Sequence, residues 1–353
     1  MKLTRIREHM KEIGIDGLLV TNAYNRRYMT GFTGTSGVVL ISEKDAIFIT
    51  DFRYVKQAED QVKDFKIVEH KGMITEKVAE EVDKLGVQKL GFEEQDMSYA
   101  QYSNYQKVLK EIEFVPVSGA VEKLRLIKTD EEIKILKEAA EIADAAFSHI
   151  LKFIRPGLRE IEVANELEFF MRKNGAISSS FDMIVASGYR SALPHGVASD
   201  KVIEKGEFVT LDFGAYYKGY CSDITRTIAI GDPGEEMKKI YNIVLEAQLR
   251  GMNGIKPGMT GREADALTRD YIKENGYGDY FGHSTGHGIG LEVHEGPALS
   301  IRSDIVLEKG MVVTVEPGIY LPGKGGVRIE DDTVITSTGN ESLTHSTKEL
   351  IIL

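Results

Sequence analysis

Two blocks of this 353-residue chain occur twice in the same order, and nothing else in it constrains the fold so tightly. "IRPGLREIEVANELEFFMRKNGA" (154–176) resembles "IKPGMTGREADALTRDYIKENGY" (255–277), with Ile, Pro, Gly, Glu, Asn and Gly recurring in place. "DKVIEKGEFVTLDFGAY" (200–216) matches "DIVLEKGMVVTVEPGIY" (304–320) at nine of seventeen positions. The C-terminal region therefore reads as two copies of one helix-then-hairpin unit packed about a pseudo-twofold axis.

The repeat carries acids. In "TLDFGAYYKGYCSDITRT" (210–227) Asp212 and Asp223 flank a tight turn. With Tyr217 and Lys218 as the turn residues, the two aspartates would face each other on one side of the ladder, about 5 Å apart. In the second copy Asp212 aligns with Glu316. The returning strand "VRIEDD" offers Glu330 as the counterpart of Asp223, and a three-residue turn centred on Gly323 would set 316 opposite 330. Two hairpins would then bring four acids together. Four carboxylates do not stay ionised in a protein interior unaided. Two divalent cations would bring the formal charge to zero. A further ligand is expected from "FGHSTGHGIGLEVHEGP" (281–297), since four of the eight histidines (His195, His283, His287 and His294) lie in or near such motifs. The glycines there oppose a helix and suggest close backbone approach. No H-E-x-x-H zinc motif occurs. Four carboxylates with one imidazole favour Mn²⁺ or Co²⁺, with Zn²⁺ possible.

Residues 1–122 alternate helix-like and strand-like segments, with strands expected at 17–21, 37–42, 46–50, 65–70, 89–92 and 113–117, the signature of an α/β domain. The "GFTGTSG" run (31–37) lacks phosphate-loop spacing and reads as a turn. A second domain, 123–353, opens with "KTDEEIKILKEAAEIADAAFSHILKFI", a long helix with a Thr129–Glu132 capping box, stopped by Pro156-Gly157. The net charge of −11 opposes a nucleic-acid partner. The single cysteine, Cys221, fits a reducing, cytoplasmic compartment. The N-terminus reads as an amphipathic helix rather than a signal peptide, and no apolar run reaches membrane-spanning length.

Together "LDFGAYYKGYCSDITRT", "HSTGHGIGLEVHE", "VEPGIY" and "GGVRIEDD" resemble the pita-bread metallopeptidases, a family that includes methionine aminopeptidase, prolidase, aminopeptidase P and the related creatinase. The N-terminal domain resembles that of the prolidase, aminopeptidase P and creatinase branch. The fold implied is a creatinase-like α/β domain followed by an α+β pita-bread catalytic domain. The resemblance implies Asp212, Asp223, His287, Glu316 and Glu330 as metal ligands, with Asp223 and Glu330 shared by both ions. It implies Glu316 as proton acceptor and donor, and His195 and His294 beside the tetrahedral intermediate. It places His283 against substrate, and Arg328 near the substrate carboxylate or the ligand shell. The function implied is hydrolysis of Xaa-Pro bonds in short peptides by a homodimer. A dipeptidase is the leading reading, with an Xaa-Pro aminopeptidase as the alternative. Creatine-type hydrolysis, a metal-free binding module and a nucleic-acid-associated factor rank below. A binding module should show substitutions among the five ligand positions, which are all present here.

Overall fold

The computed structural model describes residues 2–353 and divides into two compact units between Arg125 and Leu126. In the first unit, strands β1 (Gly17–Val20), β2 (Val38–Ser42), β3 (Ala46–Thr50), β4 (Lys66–Glu69), β5 (Lys89–Glu93) and β6 (Glu113–Val117) form one sheet in the order β4-β3-β2-β1-β5-β6. Helices α1 (Lys2–Glu12), α2 (Ala23–Thr30), α3 (Val55–Gln61), α4 (Ile74–Leu85) and α5 (Tyr99–Val108) interleave with the strands. β2 runs antiparallel to both neighbours, whereas β3 pairs parallel with β4, and β5 pairs parallel with β1 and β6. The central strands are buried along their whole length, which explains why they read as unbroken apolar runs rather than alternating ones. A short helix, α6 (Glu122–Arg125), closes this unit. Tyr28 Oη donates to Leu124 O (3.1 Å) and Arg125 donates to Asn25 Oδ1 (2.8 Å).

The second unit opens with α7 (Asp130–Phe153). Thr129 caps it through a complete capping box with Glu132, a cap worth about 1 kcal/mol. Its apolar stripe, including Leu136, Ala143, Phe147 and Ile150, is buried. Next come α8 (Glu160–Lys173), the short strand β7 (Ser178–Ser179) and β8 (Ile184–Ser187). The first hairpin follows, as β9 (Glu207–Phe213), β10 (Ala215–Tyr217), β11 (Tyr220–Cys221) and β12 (Ile224–Ile230). The second copy runs α9 (Glu235–Gly254), α10 (Gly261–Glu274), β13 (Gly286–Gly288), β14 (Glu295–Leu299), β15 (Val312–Val315), β16 (Gly318–Leu321), β17 (Gly325–Arg328), β18 (Asp331–Ile335) and β19 (Asn340–Ser342). The recurring Pro-Gly has a backbone cause. Gly157 and Gly258 precede α8 and α10 at φ 93° and 88°, where an L side chain is strained.

The hairpins correct two sequence expectations. The first turn uses Lys218 and Gly219, at φ 49° and 91°, not Tyr217 and Lys218. A two-residue turn matching the strand twist needs positive φ at both positions, and glycine makes this placement the cheaper one. Tyr217 therefore pairs with Tyr220, and Asp212 faces Thr225 rather than Asp223. Asp223 lies diagonally across the ladder. In the second hairpin Gly318 pairs with Arg328 and Leu321 with Gly325, leaving a three-residue turn centred on Gly323. Val315 pairs with Asp331, so Glu316 stands opposite Glu330 in continuous register.

The two hairpins meet along 223–227 and 328–332. Glu330 N donates to Thr225 O (3.1 Å), Asp223 N donates to Asp332 Oδ2 (2.8 Å), and Thr227 Oγ1 donates to Arg328 O (3.0 Å). These contacts pair the two hairpins antiparallel, as an approximate twofold axis requires, and Asp223 and Glu330 end the corresponding gaps before β12 and β18.

Candidate active site

All four hairpin strands break at the level of the acids. Asp212 sits at the end of β9, just before Gly214 interrupts the strand. A Cβ on Gly214 would lie 1.7 Å from Ser222 O, so no other residue lets the two strands close here. Glu316 precedes Pro317, whose missing N–H ends the ladder between β15 and β16. Asp223 and Glu330 occupy the gaps between β11 and β12 and between β17 and β18. Side chains at such breaks turn out of the pleat. They line a cavity of about 430 Å³ together with His287, which β13 supplies. Gly286 lets β13 approach β15, because its Cβ would fall 1.9 Å from Thr314 O.

The cluster is electrostatically unfinished. Asp212 Oδ1, Asp223 Oδ1 and Glu330 Oε1 are buried and have no hydrogen-bond partner among the described residues. Asp223, His287 and Glu330 each offer a ligand atom, all within 4.8 Å of one another. His287 Nδ1 lies 3.1 Å from Gly288 O, which assigns the ring proton to Nδ1 and leaves Nε2 a bare lone pair. That lone pair faces Glu316 Oε1 at 3.3 Å and Asp223 Oδ2 at 3.8 Å. Burial holds His287 neutral by lowering its pKa, so no ring proton bridges these oxygens. Burial, and then the neighbouring carboxylates, push Asp223 and Glu330 well above the usual carboxylate range. Glu316 is raised to about 8, chiefly by burial, although Arg328 pulls it down. Partnerless carboxylate oxygens turned toward an imidazole lone pair are the donor set of a cation site. The residues present fit divalent metal ions.

A layer of buried polar groups holds these acids. Arg328 donates to Asp212 Oδ2 (2.5 Å), Tyr320 Oη (2.8 Å), Pro194 O (3.2 Å) and, through Nε, Thr225 Oγ1 (3.2 Å). Four of its donor contacts are thereby inside the protein, and its guanidinium supports a cluster acid rather than facing the cavity as a free clamp. Thr225 Oγ1 donates to Glu330 Oε2 at 2.6 Å, and Thr314 Oγ1 to Glu316 Oε1 at 3.2 Å. His283 lines the cavity, yet both ring nitrogens are engaged. Nδ1 lies 2.8 Å from Ser284 O and Nε2 lies 2.7 Å from Tyr320 Oη. Burial lowers its pKa to about 4, so Tyr320 O–H donates to Nε2 while accepting from Arg328.

His195 and His294 line the same cavity from its exposed side, and the His294 ring lies 4.2 Å from that of His287 between centroids. All nine residues singled out from the sequence thus border one cavity. Thr225, Tyr320 and Asp332 were not singled out; only their positions inside the recognised motifs could have flagged them. Cys221 is buried and its thiol is pushed up to about 12, which makes it an inert packing group.

Residues 134–337 match Metallopeptidase family M24, and residues 2–127 match the Creatinase/Prolidase N-terminal domain. A solved Xaa-Pro dipeptidase from Bacillus anthracis is 71% identical, with a TM-score of 0.99 over 100% of this chain and 99% of that one. An Xaa-Pro dipeptidase from Pyrococcus furiosus is 44% identical over 99% of both chains. The structure of an X-Pro aminopeptidase from Thermotoga maritima, also 44% identical, superposes with a TM-score of 0.91 over 98% of this chain and 100% of that one. With the site's acids arranged on duplicated hairpins and both domains matched, the chain belongs to metallopeptidase family M24, a pita-bread enzyme with a creatinase/prolidase N-terminal domain.

Proposed function

We propose that this protein is an Xaa-Pro dipeptidase that works with two divalent metal ions. The observation that carries the reading is the set of partnerless buried oxygens of Asp212, Asp223 and Glu330 beside the unprotonated Nε2 of His287. These residues and Glu316 would hold the ions. Mn²⁺ fits this oxygen-rich set best, and Co²⁺ or Zn²⁺ could replace it. When bound, the ions supply an activated water and polarise the scissile carbonyl.

The chain's own groups do the rest. Glu316, at the strand break beside the other acids, takes the nucleophile's proton and returns it to the leaving proline nitrogen. His195 and His294, at the open side of the cavity, each present an imidazole able to donate to the developing oxyanion. Arg328 fixes Asp212. Through Tyr320 the same fork fixes His283, which meets substrate with its ring rather than with a free nitrogen. A substrate amide ending in proline lacks an N–H and has a restricted backbone, so a dedicated cavity is required. Apolar walls from Phe181, Ile184, Val197 and Val293 suit a short proline-containing peptide. The acidic charge and lone buried cysteine accord with a cytoplasmic protein without a nucleic-acid partner, and the family resemblance with a homodimer.

The T. maritima neighbour supports a second reading, an Xaa-Pro aminopeptidase acting on longer peptides. Protein stripped with chelator and restored separately with Mn²⁺, Co²⁺ or Zn²⁺ should be assayed on Gly-Pro, Gly-Pro-Pro and Gly-Ala. Metal-restored hydrolysis of Gly-Pro well above Gly-Pro-Pro is expected. A preference for Gly-Pro-Pro favours the aminopeptidase. Turnover that ignores chelation, or none on any peptide ending its first bond at proline, removes the proposal.

A further inference from the structure

The loop that carries His195 is held at its base by one buried carboxylate. It leaves β8 at Ser187, makes a single 3₁₀ turn (Gly188–Ala192) and returns at Ser199. Its tip has little packing of its own. Leu193, His195 and Val197 are exposed, and no hydrogen bond fixes the His195 ring among the described residues. Glu160, fully buried in the first turn of α8, joins the two feet of the loop. Its Oε1 accepts from Ser187 N (2.7 Å) and Ser187 Oγ (2.9 Å), and its Oε2 from Ser199 N (3.1 Å) and Ser199 Oγ (2.6 Å). Arg190, inside the loop, donates to Glu160 Oε2 with one arm and to Val197 O (2.9 Å) with the other.

The second repeat lacks this carboxylate. The backbone bonds from Glu160 N to Lys201 O and from Ile161 N to Ser199 O recur there, from Gly261 N to Ile305 O and from Arg262 N to Ser303 O. Gly261 stands where Glu160 does, and Ser303, the counterpart of Ser199, has a buried hydroxyl without a partner among the described residues. Packing the helix start against the returning chain therefore needs no acid. What differs is the loop. After β13 the chain pairs back as β14, which begins at Glu295 beside His294, so a ladder holds that histidine's segment. The His195 loop has only a lone bridge from Val197 to Ile184.

We propose that Glu160 and Arg190 form a clasp that positions His195 for catalysis. The inference rests on the peptidase reading above, in which His195 donates to the developing oxyanion. Five donors offset the burial of the Glu160 charge while fixing both feet of the loop. Arg190 carries that restraint to Val197 O, two residues beyond His195. A donor to a developing charge is worth most when its direction is set before the reaction, and the clasp sets it where the loop tip cannot.

The test is a double-mutant cycle on Gly-Pro hydrolysis by the Mn²⁺-loaded enzyme, comparing wild type, Arg190→Met, His195→Ala and the two combined. H195A should lower kcat about 100-fold, the size of a lost oxyanion donor. R190M should lower kcat about 10-fold, less than the roughly 100-fold of a misplacement of about 1 Å, because Glu160 still holds both feet. KM and Mn²⁺ content should hold. Arg190→Lys, which keeps the charge but not the two-armed reach, should recover part of the loss. In the H195A background R190M should cost nothing further. Ser199→Ala, a smaller cut at one foot, should repeat the pattern at about 3-fold, so the cycle is readable even if R190M folds poorly. Losses that multiply in the double variant, or an R190M kcat equal to wild type, overturn the clasp and leave the peptidase reading intact. An H195A enzyme as fast as wild type also overturns it, since His195 then has no reaction to be positioned for. If wild type leaves Gly-Pro uncleaved, the peptidase reading itself falls, and the clasp with it.

Discussion

Arg328→Met isolates what the buried guanidinium does. The methionine keeps most of the apolar stem and removes every donor. The loss comprises one charge-assisted bond to Asp212 and three bonds to the neutral acceptors Tyr320, Pro194 and Thr225. At about 2 kcal/mol for the first and about 1 for each of the others, the total is near 5 kcal/mol. That agrees with the roughly 3–5 kcal/mol expected when one partner of a buried ion pair is deleted. For a unit of this size it corresponds to a fall of roughly 6–20 °C in melting temperature. The assay is thermal unfolding of metal-free protein, wild type beside R328M and Arg328→Lys, followed by Mn²⁺ affinity. Both variants should unfold earlier and bind Mn²⁺ more weakly, and R328K should lie between wild type and R328M because it keeps the charge but not the fork. A cavity-facing clamp for the substrate carboxylate would behave in the opposite way. It would raise KM for dipeptides and leave metal-free stability and Mn²⁺ affinity untouched, and that result would refute the reasoning.

Metal-free protein should lose stability as pH rises from about 4.5 to about 8. Glu316, raised from 4.5 to about 8, and the raised Asp223 and Glu330 hold protons more tightly folded than unfolded. Unfolding in that window therefore releases protons and is favoured by alkali. Melting curves at pH 5 and pH 8 check the sign, Mn²⁺ should flatten the slope, and a melting temperature that climbs toward pH 8 without metal contradicts it. Gly286→Ala should weaken Mn²⁺ binding at least about 10-fold, because a Cβ 1.9 Å from Thr314 O can be relieved only by moving β13 and with it His287. Wild-type affinity in that variant, read by titration calorimetry, would show that β13 need not sit where it does.

How much of this could be read from the chain depends on which residues carried a local signal. The six N-terminal strands, the capped helix after Thr129 and the 316/330 register all follow from periodicity, caps and turn length. The first hairpin did not. Lys218 takes a positive φ that nothing about lysine announces, and moving the turn by one residue exchanges Asp223 for Thr225 opposite Asp212. Arg328 could be placed near the site but not oriented, because its direction depends on Asp212, Pro194 and Tyr320, which are distant in the chain.

Calorimetric titration of the chelator-stripped protein with Mn²⁺ at pH 7, in buffers of different ionisation enthalpy, reports both stoichiometry and protons displaced. Acids that persist only by sharing protons until cations arrive should take up roughly two ions per chain and expel at least about one proton. Uptake without proton release, or no uptake at all, would mean that the convergence of Asp212, Asp223, Glu316 and Glu330 serves something other than metal.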